Sequence, residues 1–400
     1  MLRRYYFDWA AAAPPRVPDP SYAGGEKSVP FGNPSSPHGE GKKAREALEE
    51  ARRRCAAVLG VRADQIYFTS GASESNAIVL FSLAIKPRRT ARAGEAPGGA
   101  ELLYSAGEHP SVSENVPSLE RLGVKSAVLG LDSGGSAALK ALEAALEKNP
   151  GLRMAAIIGI NNETGSVNDT AALGAALRGG TERARPVHFH CDLVQALGKV
   201  PLDLGGSCID SASFSAHKIG GPRGVGLLYL RRPLLPLVRG GGQEGGLRPG
   251  TENTAGALAA AACLEERAPA AAASLREAES RMERLISRLR SRAQGRFVPI
   301  PEDRGGADSR FSPWILQARF KGIPGAVLVR ALDERGFAIS TGSACSSGRV
   351  KRPVLEAMGL DEETRLEGVR ISQGWSTTAE DIEALVEALS GVAAELRGPS

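Results

Sequence analysis

One lysine in this chain is placed for chemistry. Lys218 ends the run Ser213-Phe-Ser-Ala-His-Lys218, follows the apolar stretch Cys208-Ile-Asp-Ser-Ala and precedes the turn-forming Ile219-Gly-Gly-Pro-Arg-Gly-Val-Gly. Desolvation at the end of a buried strand, helped by nearby cations, lowers a lysine pKa until the neutral amine can attack an aldehyde. Alone, a strand-end lysine more often just reaches solvent. About two dozen residues earlier, Val187-His-Phe-His-Cys-Asp192-Leu-Val-Gln195 reads as a strand delivering an acid and an amide at its end. Asp192 alone would be read as a helix N-cap. Cys345 lies in Ser340-Thr-Gly-Ser-Ala-Cys-Ser-Ser-Gly348, where small residues on both sides predict a mobile loop suited to a nucleophile that must travel. A buried structural cysteine is the usual state of this residue type. Neighbours without apolar periodicity argue against it here, whereas Cys55 falls on the core stripe of its helix.

Together, Lys218 and Asp192 meet the needs of pyridoxal phosphate: an amine to hold the cofactor covalently and a carboxylate to keep the pyridine nitrogen protonated, so that the ring is an electron sink. A phosphate wants backbone N–H groups at a helix N-terminus and hydroxyl donors. Ser70-Gly-Ala-Ser-Glu-Ser75 supplies both after an apolar strand, although many helices begin this way.

Four segments, Asp192-Leu-Val-Gln195, Ser215-Ala-His-Lys218, Phe31-Gly-Asn-Pro-Ser-Ser36 and Ser343-Ala-Cys345-Ser-Ser, resemble cysteine desulfurases of the long-loop NifS/IscS-like type. These belong to the class V aminotransferase group of fold-type I pyridoxal phosphate enzymes, and the likeness runs from about Tyr6 to Ile382. It implies that Ala72, Ser73, Ser215 and His217 hold the phosphate. Many members carry threonine where Ser73 stands, and either hydroxyl serves. By the same likeness Lys218 carries the cofactor, Gln195 bonds its phenolic oxygen and Asn162 lies beside the ring. Thr251, in Arg248-Pro-Gly-Thr-Glu-Asn253, would reach the phosphate of the partner subunit, which implies a homodimer. His109 would stack on the ring and move protons. Arg370 would fork onto the substrate carboxylate, with Asn33 assisting. Cys345 would take the sulfur of L-cysteine as a persulfide, release alanine, and pass the sulfur to an iron–sulfur scaffold or a tRNA-thiolation protein. Whether Cys345 transiently ligates an iron–sulfur cluster stays open.

Two departures from the family pattern stand out. The family start Asp-Asn-Ala-Ala-Thr-Thr here reads Asp8-Trp-Ala-Ala-Ala-Ala13, which could alter the substrate pocket. The chain also ends soon after its last helical pattern, at Arg397-Gly-Pro-Ser400, which puts docking of a scaffold partner in doubt. Two other readings remain: another class V activity, such as a selenocysteine lyase or an aminotransferase, and a non-catalytic regulator that binds pyridoxal phosphate. Turnover without Cys345 would favour the first, and bound cofactor with no turnover the second.

The elements that must position these groups alternate along the chain. Strands are expected at Ile66–Thr69, Leu102–Ser105, Ser126–Leu129, Ala155–Ile160, Val187–Cys191, Ser211–Ser215 and Val225–Leu230. Helices are expected at Gly41–Leu59, Ser73–Ile85, Ala137–Lys148 and Thr170–Leu177. Such alternation means a mostly parallel sheet covered by helices, an α/β fold. Thr254–Arg292 reads as one or two helices, leading to a small α+β domain. The division implied is a large domain over 21–262 and a small one made of 1–20 and 263–400, with the N-terminal arm packed on the latter. Lys86–Ala100 reads as a surface loop, and Gly240–Gly246 as a flexible interface loop with no strand-to-helix context for a nucleotide fingerprint.

Composition narrows the remaining classes. Four hundred residues, 42% hydrophobic, can bury a large core. Net charge is +5, a mild excess that gives no strong case for nucleic-acid binding. Five cysteines, an odd number with no CxxC, argue against a disulfide framework or a zinc site and for a reducing cytosol. His188 and His190 lack a following ligand pattern, so no metal is expected. Neither a signal-peptide h-region nor an 18-residue apolar run is present, and the expectation is a cytoplasmic protein off the membrane.

Overall fold

A computed structural model describes residues 3–15, 29–85, 101–179, 186–293, 295–342 and 352–396. The loop read at Lys86–Ala100 and the segment carrying Cys345 lie outside them. In chain order the strands are β1 (Tyr5–Tyr6), β2 (Ile66–Thr69), β3 (Leu102–Ser105), β4 (Ser126–Leu129), β5 (Met154–Ala156), β6 (His188–Asp192), β7 (Ser211–Ser215), β8 (Gly226–Leu230), β9 (Phe297–Pro299), β10 (Ile315–Phe320), β11 (Phe337–Ala338) and β12 (Gly368–Ser372).

Seven of them form one sheet in the order β2-β8-β7-β6-β5-β3-β4. β8 is antiparallel to both neighbours and every other pair is parallel. The central strands β5, β7 and β8 are buried at every residue, as expected of a sheet covered on both faces. The carboxyl ends of β2, β3, β6 and β7 therefore share one edge, where open α/β sheets bind ligands.

Most sequence-expected elements occur within a residue or two of their expected bounds. The apolar run Ala155–Ile160 pairs as a strand only through Ala156, although Ile157 and Gly159 still donate N–H groups to His190 O and Asp192 O. The helix Gly39–Val58 buries Ala44, Leu48, Ala51 and Cys55 on one face, the 3.6-residue stripe read from sequence. Thr254–Arg292 is a single 39-residue helix with Pro269 inside it. A proline there forfeits its own N–H bond and strains one turn, and flanking alanines and leucines buried on both sides carry the helix through.

A second core centres on a three-stranded antiparallel sheet, β12-β10-β9. Against it pack the far half of the long helix (Met282, Leu285, Ile286, Leu289) and the helices Gly325–Glu334 and Ala379–Glu395. The last of these starts at a reciprocal Thr378–Asp381 capping box. The N-terminal arm joins this unit. β1 pairs in parallel with β11, Tyr5 opposite Phe337, and Asp8 bridges to Ser372. Trp9 then lies against Gly374, where a Cβ would come within 2.1 Å of the indole. Its ring meets Trp375 edge-on at 4.7 Å.

Candidate active site

The shared carboxyl edge opens onto a cleft of about 700 Å³. Its far wall is built from Arg370 on β12, from Ser340 and Gly342, and from residues 10–12 of the N-terminal arm. Ala72, Ser73, His109, Asn162, Asp192, Gln195, Ser215, His217, Lys218 and Arg370 all line it. Sequence-derived candidates up to 298 residues apart, from Ala72 to Arg370, are thus gathered into one cavity.

Lys218 follows β7 and extends its Nζ to the carbonyls of Ala10 (2.5 Å) and Ala11 (2.8 Å). Burial, then the Arg370 guanidinium, push its pKa down to about 8, against the pull of Asp192 and Asp8. Asp192 closes β6. Its Oδ1 accepts the N–H of Val194 at 3.0 Å and its Oδ2 accepts Asn76 Nδ2 at 3.0 Å, so the carboxylate is held rigidly with 4% exposure. His109 caps a short helix. Its Nδ1 accepts the backbone N–H of Ser111 (3.1 Å) and lies 2.9 Å from Ser111 Oγ. A nitrogen that accepts a backbone N–H carries no proton, so the neutral ring is protonated at Nε2. Burial depresses the His109 pKa, Asp192 opposes this and Lys218 adds to it.

The phosphate-type donors sit together. Gly71 provides no side-chain cap to the helix Ala72–Phe81, and the first-turn residues Ala72 and Ser73 border the cleft. A Cβ on Gly226 would fall 2.5 Å from Gly71 Cα; glycine at 226 is what lets β8 pass beneath this turn. Ser215 Oγ is 3.1 Å from His217 Nδ1. Burial, Lys218, Arg223 and Lys199 push His217 down to about 4, so its ring is neutral at pH 7. Glu74, also on the cleft, is buried enough to raise its pKa, but the Ser70 N–H and Arg248 more than offset this and keep it charged.

Arg370 donates from Nη1 to Asn162 O (2.9 Å) and from Nη2 to Asp8 Oδ1 (2.7 Å). Its buried Nε has no hydrogen-bond partner among the described residues. Gln195 donates from Nε2 to Ala10 O (3.0 Å), and its Oε1 accepts Lys199 Nζ at 2.7 Å. Lys199 is 1% exposed, and burial, then Lys218 and Arg370, push its pKa down to about 7.

Other sequence-derived candidates lie elsewhere. Asn33 and Thr251 are exposed and do not line the cleft; Asn33 Oδ1 accepts the N–H of Ser35. Cys345 lies outside the described residues, three positions after the cleft residue Gly342. Trp9, suspected of altering the substrate pocket, is buried against Gly374 and is absent from the cleft lining. The alanines that follow it, Ala10, Ala11 and Ala12, do border the cleft. The glycine-rich stretch read as flexible is anchored at Glu244, whose carboxylate takes both Arg52 Nη groups (2.7 and 2.9 Å) and the Phe68 N–H (2.8 Å). Sequence reasoning missed Asp8, Asn76, Ser111 and Lys199. Lys199 falls four residues after Gln195, a spacing that could have flagged it. Asp8 and Asn76 meet partners far along the chain and leave no local signal, whereas Ser111 stands two residues after His109, whose Nδ1 it contacts.

An amine of lowered pKa, a fixed carboxylate, a neutral imidazole and a pocket of phosphate-type donors suit a phosphorylated pyridine aldehyde and an amino-acid substrate. The chain matches the family model Aminotransferase class-V over residues 6–385. It is 36% identical over 371 residues to a NifS/IcsS protein homolog of Lactobacillus delbrueckii subsp. bulgaricus, covering 90% of each chain. It is also 36% identical to the cysteine desulfurase IscS of Escherichia coli O139:H28 over 396 residues, 96% of this chain and 91% of that one. A solved NifS-like protein superposes with a TM-score of 0.83 at 30% identity, covering 98% of this chain and 100% of the other.

Proposed function

The chain belongs to the aminotransferase class-V family, and from that premise we propose that it is a pyridoxal-phosphate-dependent cysteine desulfurase of the NifS/IscS-like type. It converts L-cysteine to L-alanine and takes the sulfur onto Cys345 as a persulfide. The observation that carries this reading is the joint presence of Lys218, Asp192 and His109 on one cleft beside an uncapped helix N-terminus.

The residues present fit the cofactor. Gly226 admits the Gly71 turn, and a Cβ on Gly71 would fall 3.6 Å from Ser215 Oγ; a phosphate between them would meet the amides of Ala72 and Ser73, with the Ser73 and Ser215 hydroxyls and His217 completing the donor set. Asp192 would hold the ring nitrogen, His109 would lie on the ring face, and Gln195, with Asn162 nearby, would serve the phenolic oxygen. Pyridoxal phosphate, when bound, supplies an electron sink that labilises the substrate's Cα–H and Cβ–S bonds.

The chain's own groups do the rest. Lys218, near half-deprotonated at pH 8, holds the cofactor and then moves the proton at the substrate Cα. Arg370 gives the substrate carboxylate its guanidinium edge, held in place by Asp8 and Asn162 O. The Cys345 thiolate attacks the substrate sulfur. A sulfur–sulfur bond forms, the Cβ–S bond breaks with its electron pair going to carbon, and protonation of that carbon gives alanine. The persulfide then goes to an acceptor protein, an iron–sulfur scaffold or a tRNA-thiolation protein. Exposed Thr251 and the exposed Leu235, Leu237 and Val238 support a homodimer in which Thr251 serves the partner subunit's phosphate site.

Alanine formation from L-cysteine by the cofactor-loaded protein tests the proposal. Wild type should form alanine, and Cys345→Ala should form none while keeping its bound cofactor absorbance. Undiminished turnover in Cys345→Ala would overturn it.

A further inference from the structure

Beneath the cleft lies a chain of buried side chains that the catalytic scheme does not use. The geometry points to Asn76 as a positioning residue that ties Asp192 to His109, fixing the carboxylate at one end of the cleft and the imidazole proton at the other through a single hydrogen-bond register. This rests on the reading that Asp192 and His109 flank the cofactor; the register itself can be tested without cofactor or substrate.

Each contact dictates the next. Asp192 accepts only, so the Asn76 amide must turn its NH₂ toward Asp192 Oδ2 (3.0 Å). The second hydrogen of the same nitrogen reaches Ser111 Oγ at 2.8 Å. Asn76 Oδ1 is thereby turned toward His190 Nε2 at 2.9 Å, and that nitrogen must carry the His190 proton. His190 Nδ1 is then an acceptor, and Ser211 Oγ at 2.8 Å donates to it. Having used its one proton, Ser211 Oγ accepts from His188 Nε2 at 2.7 Å. On the other arm, Ser111 has received the Asn76 hydrogen and gives its own proton to His109 Nδ1 at 2.9 Å. His109 is left with one place for its proton, Nε2.

At the centre of the chain no water can substitute, whereas Ser111 and His109, which border the cleft, and His188 are half-buried. Asn76, His190 and Ser211 are each 0% exposed, and an unmade bond among dry polar groups costs its full desolvation. Burial drives the His190 pKa down to about 3, which keeps it in the neutral form that the register requires. Asp192 and Lys218 are the charged groups that act on His109, and the register connects to the first of them through Asn76. Its consequence for the reaction is directional: His109 meets the cleft as a proton donor from Nε2, since both available donors occupy Nδ1.

The protein has only five histidines, so imidazole tautomers can be read one by one by long-range ¹H–¹⁵N NMR on the cofactor-free, histidine-labelled protein. Wild type should show His109 and His190 each as a single Nε2–H tautomer. Asn76→Ala should shift the His109 Nδ1 resonance and cost His190 its single tautomer. Ser111→Ala should shift His109 Nδ1 alone and leave His190 as in wild type. An unmoved His109 in Asn76→Ala would reduce Asn76 to packing around His190. A His109 protonated at Nδ1 in wild type, or unmoved in Ser111→Ala, would overturn the register even if Asn76→Ala failed to fold.

Discussion

Replacing Lys199 by Met should make the cofactor-free protein more stable at neutral pH and a poorer binder of pyridoxal phosphate. Lys199 is buried beside two other cations, Lys218 and Arg370, and its side chain donates to the neutral amide of Gln195. Its pKa falls from 10.5 to about 7, equivalent to about 5 kcal/mol of stability lost at and below pH 7. The sign follows from proton counting. Between pH 7 and 10.5 the unfolded chain holds a proton that the folded protein has released, so wild-type stability rises with pH across that window. Met keeps most of the volume and removes the charge. It leaves Gln195 Oε1 without its donor, a cost of about 1–3 kcal/mol. The net effect is a gain of about 2–4 kcal/mol at pH 7 that shrinks by about 1.4 kcal/mol per pH unit and reverses between about pH 8 and pH 10. Denaturant unfolding of both proteins at pH 7 and pH 10 reads this directly. A variant less stable at pH 7, or a difference independent of pH, would refute the reasoning. Cofactor titration should show weaker binding, because Lys199 and Ala10 O together hold the Gln195 amide in one orientation.

Two further outcomes follow from distances already given. Arg370→Ala should raise KM for L-cysteine on the order of a hundredfold, the equivalent of about 3 kcal/mol of charge-assisted hydrogen bonding; steady-state kinetics giving a KM within threefold of wild type would remove Arg370 from the carboxylate site. Gly374→Ala places a Cβ within 2.1 Å of the Trp9 ring and should destabilise by about 1–3 kcal/mol, so an unchanged melting temperature would mean that the N-terminal arm yields without cost.

What the sequence disclosed, it disclosed locally. Asp192, Ser215 and Lys218 are legible because a short buried strand and the turn after it sit within a few residues of each group. The long helix stayed ambiguous because Pro269 is a strong breaker in isolation, and only packing decides that the helix continues. The strand at Ala155–Ile160 was read too long because a continuous apolar run carries no periodicity to mark its end. Asn76 and Asp8 were invisible for a different reason. Their partners lie 116 and 362 residues away, and neither has a neighbour that would single it out. Thr251 and Asn33 entered through family likeness alone, and neither borders the cleft of a single chain.

The N-terminal arm has a consequence for how this protein is made. Residues 5–13 are synthesised before all their partners, yet Tyr5 pairs with Phe337, Asp8 with Arg370 and Ser372, and Ala10 O receives Lys218 Nζ. The arm's docking sites on β11 and β12 are synthesised more than 300 residues after it, the kind of long-range closure that comes late in folding. The cleft wall at Ala10–Ala12 therefore closes only after β11 and β12 have been made. Until β11 and β12 have formed, the arm that brings the Ala10 and Ala11 carbonyls to Lys218 lacks its docking sites.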